Sequence, residues 1–292
     1  MKMMKGMLVA LTPAALGALY FYRMNALLLI VVGVTSAVAA EAAWLYVKTR
    51  SLKKLADGSA VVTGLLLALT VSPSLPLYVI ASAAVVGIVV GKQLFGGYGK
   101  NVFNPALVGR LFIVYAFPGT MSPWLSPVDL ISTATPLQVF RSSRAMTSVW
   151  ALFTGHVAGS IGETSALLLI IGAGWLFYKR YANWRVTVGV LGAVAAVSLL
   201  YGQNPLFHIF SGSVLMGALF MATDPITSPR TQKGRYLFGV LVGLLVMAMR
   251  LYGWLPEGTT FAILGANAAV PLITKFTAKK KPYATAKAGG GV

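Results

Sequence analysis

Residues 129–137 read Asp-Leu-Ile-Ser-Thr-Ala-Thr-Pro-Leu and lie in the one long polar connection of a very apolar chain. Thr135 presents a hydroxyl directly before Pro136. Proline disfavours helix at the preceding residue, so Thr135 is expected in an extended segment. Its neighbours Ser132, Thr133 and Ala134 are small, which leaves room for an enzyme to approach. A hydroxyl held this way can form a phosphodiester with a cofactor phosphate. The same features suit an ordinary exposed loop, in which Asp129 makes a turn or cap.

Other residues offer chemistry of different kinds. Glu163 opens an apolar segment, where an acid favours the helix N-terminal dipole; alternatively, this turn lines a cofactor or ion site, with Thr164 beside it. Asn104 and Asn267 sit in short segments and are expected to support breaks in helices or face a cofactor. Thr70 and the pair Thr223-Asp224 end two short segments and could line an ion path. Glu41 lies within an apolar segment, where an acid costs roughly 2.5–3.5 kcal/mol at mid-bilayer. Its nearness to Lys48 also fits a position at the membrane interface. Arg110 is deeply placed and suits a phosphate or an acid as partner. The chain has no cysteine and two histidines, His156 and His208. No metal-binding spacing results, so redox chemistry here needs an organic cofactor or a partner's site.

The elements that must position these residues are membrane helices. Of 292 residues, 57% are hydrophobic and 10% charged, too few charges for a soluble surface of this size. Ten apolar segments are expected, at 7–22, 25–47, 59–71, 76–97, 102–117, 163–178, 184–201, 206–222, 235–252 and 259–274. The first leads straight into the second with no cleavage pattern between them. As helices, 59–71 would reach about 20 Å, and 102–117 and 259–274 about 24 Å, against roughly 30 Å of hydrocarbon. Such short, Gly/Pro-punctuated segments suggest broken half-helices.

Two stretches match in pattern. Each of Val61-Val-Thr-Gly64 to Thr70-Val-Ser-Pro73 and Val214-Leu-Met-Gly217 to Thr223-Asp-Pro225 places a threonine six residues past a glycine and then breaks at proline. Asn104-Pro-Ala106 is paired in the same way with Asn267-Ala-Ala269. The expected fold is an all-α integral membrane protein of two inverted five-helix repeats, 1–117 and 163–276. They flank a connection at 118–162 and precede a basic, disordered tail at 277–292. With both termini cytoplasmic, 19 of the 24 basic residues fall on the inside. Thr135 then lies outside. The net charge of +18 serves topology and anionic lipid rather than nucleic acid.

Asp129-x-x-Ser132-x-Ala134-Thr135 resembles the pattern that a flavin transferase recognises. Gly96-Gly97-Tyr-Gly99-Lys-Asn101-Val-Phe103-Asn104-Pro105-Ala106 and Gly155-His156-Val-Ala-Gly159-Ser160-Ile-Gly162-Glu163-Thr164-Ser165 resemble signatures of one family. That family comprises RnfD, of the Rnf electron-transport complex, and NqrB, of the sodium-pumping quinone reductase. The likeness runs from Leu11-Thr-Pro13-Ala-Ala15 to the tenth segment, and the 159–165 run is its most specific part. Leu130 departs from it, because the family usually has Gly or Ala there. The long N-terminal extension expected of NqrB is missing, which brings RnfD nearer.

The resemblance implies FMN linked through phosphate to Thr135, making the chain a phosphoryl-linked flavoprotein, and allows a second, non-covalent riboflavin. It implies other integral and peripheral redox subunits, electron transfer between ferredoxin and NAD, and coupled movement of Na+ or H+. It also implies a prokaryotic inner-membrane location. Two other functions fit the inverted repeat: a small-solute channel or transporter, and a scaffold for other redox proteins. The chain has no iron–sulfur ligands and no dinucleotide fingerprint, so it cannot complete the redox path alone.

Overall fold

The computed structural model describes residues 2–253 and 257–278; the basic tail lies largely outside these, at 279–292. Almost all regular structure is helical. In chain order the elements are α1 (Lys2–Thr49), a 3-10 turn (Lys53–Asp57), α2 (Ser59–Leu69), α3 (Leu77–Ile88, extended by a π turn to Gln93), α4 (Pro105–Ala116), strands β1 (Trp124–Leu125) and β2 (Ser132–Thr133), α5 (Pro136–Ser143), α6 (Val149–Thr154), α7 (Ala166–Tyr178), α8 (Trp184–Leu200), α9 (Pro205–Phe210), α10 (Val214–Met216, extended by a π turn to Met221), α11 (Gln232–Tyr252) and α12 (Thr259–Thr277). Among the described residues α1, α11 and α12 are long and apolar enough to cross a membrane.

α1 is two helical limbs joined at Arg23, where φ is 50° and ψ is −123° and the chain folds back on itself. A β-carbon built on Gly58 would lie 3.8 Å from Cβ of Met4. Next to Gly58, Ser59 shares the Lys92 ammonium with Glu41. A straight helix would separate Met4 from Glu41 by about 55 Å. The two limbs are therefore antiparallel, matching the expected segments 7–22 and 25–47. Met4, Glu41, Ser59, Lys92 and Asp224 mark one end of the molecule; Tyr22, whose hydroxyl donates to the Leu125 carbonyl at 3.4 Å, marks the other.

Without a hydrophobic driving force between helices in lipid, close packing depends on small residues. Gly64 of α2 lies against α1 so closely that a β-carbon there would fall 2.6 Å from the Gly33 carbonyl oxygen.

Two of the expected breaks are present. Beyond α2, the carbonyls of Leu69, Thr70 and Val71 accept from the Gly162 N–H, the Ser160 hydroxyl and the Ile161 N–H at 2.9, 3.2 and 3.1 Å. The Gly159-to-Gly162 run thus caps a half-helix from the other half of the chain. A β-carbon at 162 would meet Leu69 Cβ at 2.6 Å, which requires glycine. Residues 211–213 interrupt the eighth segment between α9 and α10. Past its end, the Met221 carbonyl accepts from Asn104 Nδ2 at 3.4 Å, and the Thr227 carbonyl from Asn267 Nδ2 at 3.0 Å. Side chains from elsewhere thus satisfy the backbone freed by the break.

The tenth segment departs from expectation. It is one continuous helix with Pro271 inside, and Asn267 lies in its middle. Asn104-Pro105 starts α4 because asparagine caps the Ala106 N–H and proline suits the first helical position. Asn267 is followed by alanine, which stops nothing.

Candidate functional site

The connection 118–162 is more ordered than a simple loop. Strands β1 and β2 pair antiparallel, Trp124 opposite Thr133 and Leu125 opposite Ser132. The turn between them places Leu130 at φ 59°, a left-handed conformation that favours glycine. Glycine would take this conformation without strain, whereas Leu130 takes it at a cost. Asp129 is exposed and accepts from the Ile131 N–H at 3.4 Å. Hydrogen bonds from the Ser126 hydroxyl and the Ile131 N–H hold its carboxyl below its ordinary value.

Thr135 is extended as expected, with φ −70° and ψ 158°. It is not exposed, however, and helix begins at the next residue. Pro136 occupies the first position of α5, where its fixed φ helps, and Thr135 is the N-cap. Its hydroxyl accepts from the Gln138 N–H at 3.2 Å, while the Gln138 side chain accepts from the Thr135 N–H at 2.8 Å. This is a reciprocal capping box. Thr135 is only 4% exposed, whereas Ser132 and Ala134 are open to solvent. Leu137 and Phe140 seat α5 on Leu152 and Phe207, a small cluster separate from the main core.

Beneath Thr135 is a narrow pocket walled by Ser160, Glu163, Thr164, Gly212 and Glu257. Behind it, Arg110 of α4 donates to Glu257 at 2.7 Å and faces Glu163 at 3.5 Å. Arg250 of α11 donates to the His208 and Ser211 carbonyls at 2.5 and 2.7 Å. Arginine's fixed fork of donors suits such bridging. Glu163 is 5% exposed, and neither of its carboxylate oxygens has a hydrogen-bond partner among the described residues. Glu163 does not start a helix, because α7 begins at Ala166. Arg110 does meet acids, as one of its two expected partners. His208 Nε2–H donates to the Gln203 side-chain oxygen at 2.7 Å.

The remaining candidates gather at the other end, except Thr70, which lies at the far end of α2 where its carbonyl meets Ser160. Glu41 is 2% exposed and accepts from Lys92 at 2.6 and 2.7 Å and from Gln93 at 2.8 Å. Lys92, 1% exposed, also donates to Ser59 at 2.6 Å, and the Ser59 N–H and hydroxyl both bond Asp57. Lys92 is thus part of a buried network rather than a surface charge. Asn104, Thr223 and Asp224 line one pocket with Lys92, Tyr98 and Asn101. The Thr70 and Thr223 hydroxyls are directed back to the carbonyls of Leu67 and Leu219, at 2.9 and 2.7 Å. Their side chains cap their own helices.

Sequence reasoning missed Glu257, Arg250, Lys92 and Ser59. A signal was available for Glu257: it is one of only six acids in the chain and precedes the tenth segment.

The arrangement is that of an all-α membrane protein with a folded polar connection docked over a buried charge cluster. The family model described as "NQR2, RnfD, RnfE family" matches residues 1–282, and the chain belongs to that family. The D subunit of the Na(+)-translocating ferredoxin:NAD(+) oxidoreductase complex of Acetobacterium woodii is 42% identical over 97% of this chain and 91% of its own. The D subunit of the proton-translocating ferredoxin:NAD(+) oxidoreductase complex of Clostridium ljungdahlii is 37% identical over 94% and 89%. The D subunit of the ion-translocating oxidoreductase complex of Stutzerimonas stutzeri is 37% identical over 96% and 93%.

Proposed function

We propose that this protein is the flavin-bearing membrane subunit of an Rnf-type, ion-translocating ferredoxin:NAD oxidoreductase complex, with FMN joined through its phosphate to Thr135. The observation carrying this reading is Thr135 itself, at the N-cap of α5 above the pocket of Glu163 and Glu257. When bound, the isoalloxazine ring would take up and pass on electrons singly or in pairs.

The chain's own residues would prepare the site. The Leu137 and Gln138 N–H groups and the α5 dipole favour negative charge at Thr135. Arg110 offsets the two carboxylates, so that a phosphate would not face them uncompensated. Glu163, held by Arg110 at 3.5 Å, lines the same pocket and would face whatever occupies it. The docked α5 leaves little room for an ester. Attachment therefore needs its first turn to lift from the Leu152–Phe207 seat, while exposed Asp129, Ser132 and Ala134 guide the transferase.

The wider reading is ten crossings in a prokaryotic inner membrane, with both termini cytoplasmic. The two inverted halves are 1–117 and 163–276, and 118–162 faces outward. The alternation of the helices between the two ends and the distribution of basic residues support this. Partner redox subunits supply the iron–sulfur and nucleotide steps. The coupled ion is Na+ or H+; the relatives' names divide on this point. The pocket beside Asn101 and Asn104, about 60 Å³, is too small for a second, non-covalent flavin without opening. Glu41 and Asp224 flank that end and remain candidates for the ion path.

To test attachment, the protein is purified from its own host and run on a denaturing gel. Thr135→Ala should abolish flavin fluorescence of the band while leaving membrane insertion intact. A fluorescent Thr135→Ala band would remove Thr135 from the account.

A further inference from the structure

We infer that the face formed by the second limb of α1 and the end of α3 is a binding site for one anionic phospholipid. Between these helices runs an apolar trough of about 610 Å³, walled by Ala40, Ala43, Val47, Val85 and Val89. Alanine leaves space where larger side chains would close the gap. The trough ends at Trp44 and Lys48, which also form the rim of a polar pocket of about 430 Å³. Lys53 and Thr49 line that pocket as well. One continuous surface thus passes from hydrocarbon-lined to cationic, the shape and polarity of an acyl chain joined to an anionic head.

The charge balance decides in favour of an anion. Two acids, Glu41 and Asp57, also line the polar pocket. Glu41 is neutralised by Lys92 and hydrogen-bonded by Gln93, and Asp57 is engaged by the Ser59 N–H and hydroxyl. Among the described residues neither Lys48 nor Lys53 makes an ion pair, and both are exposed. Lys48 stands over the Trp44 ring at 5.7 Å. An amphipathic ring beside an ammonium marks the level at which head groups sit. Two lysines favour an anionic head over a neutral lipid or quinone.

The test uses the full-length protein in nanodiscs of phosphatidylcholine, with or without phosphatidylglycerol, followed by native mass spectrometry. The wild-type chain should retain one phosphatidylglycerol in preference to phosphatidylcholine. The Lys48→Glu/Lys53→Glu double variant should lose about tenfold in retention, the scale of one to two lysine contacts with an anionic surface. Ala43→Phe fills the trough without changing charge and should also displace the lipid. Lys179→Glu removes another ammonium stacked on aromatic rings but away from the trough, and should retain it. Equal retention of the two lipids by the wild-type chain, undiminished binding by both site variants, or a quinone in place of the phospholipid would overturn the assignment.

Discussion

Two buried charge clusters sit at opposite ends of this protein, and they are built differently. In the Glu41–Lys92 cluster every charged atom has a partner: the carboxylate accepts three hydrogen bonds, and the ammonium donates to Glu41 and Ser59. In the cluster beneath Thr135, the Glu163 oxygens and Arg250 Nε lack hydrogen bonds among the described residues. Unsatisfied buried polar atoms are costly, and in native proteins they tend to mark a ligand, an ion, water or a function. The first cluster is therefore finished as protein, and it holds α1, α2 and α3 together. The second is less completely paired and lies against the narrow pocket under Thr135.

Mutations can break or sharpen this contrast. The largest effect is expected at the satisfied end. Lys92→Met strands a buried carboxylate and should destabilise the protein by about 3–5 kcal/mol, whereas Lys92→Met with Glu41→Leu should recover most of that loss. Thermal unfolding in detergent reads both. If the single and double variants are equally unstable, packing rather than charge governs that end. Next, Leu130→Gly relieves the left-handed residue and should stabilise the β1–β2 turn by about 1 kcal/mol. This would be seen as slower proteolysis within 126–131; faster cleavage would contradict it.

Gln138→Ala removes half of the capping box and should also cost about 1 kcal/mol, loosening α5. If α5 must lift for attachment, this variant should acquire flavin faster than wild type when mixed with transferase and cofactor; slower labelling would oppose a lifting step. Glu163→Gln gives up a long, 3.5 Å ion pair with Arg110, which keeps Glu257 at 2.7 Å, so it should cost only about 1 kcal/mol. A loss as large as that of Lys92→Met would erase the difference between the clusters. The smallest effect concerns pH. Because the Asp129 carboxyl is held below its ordinary value, its contribution to the turn is present above the ordinary carboxylate range. That contribution fades as pH falls through the lowered folded value. Proteolysis of the turn with an acid-tolerant protease should accelerate over that window, and Asp129→Asn should flatten the dependence.

Local chemistry was legible in the sequence, and distant meetings were not. Thr135 before Pro136 gave the extended residue correctly, because the constraint is steric and local. That constraint says nothing of the residues after Pro136, which at a first helical position starts α5. Thr70 and Thr223 marked real breaks because proline comes soon after each. The Asn267 comparison failed for want of a proline at 268. Nothing local could show that Glu257 and Thr135 would share a pocket, or that Lys92 would turn inward to Glu41, since both depend on how the helices pack. The scarcity of acids was the usable hint, because each one in such a chain has to be neutralised somewhere.

The central claim is a phosphoryl-linked flavin on Thr135, and one measurement tests it most directly. The protein is isolated from its host membrane, cleaved with trypsin, and the 111–141 peptide is weighed and fragmented. The account predicts the added mass of FMN less one water, located at Thr135. An unmodified peptide, or the flavin located on another residue, would contradict it.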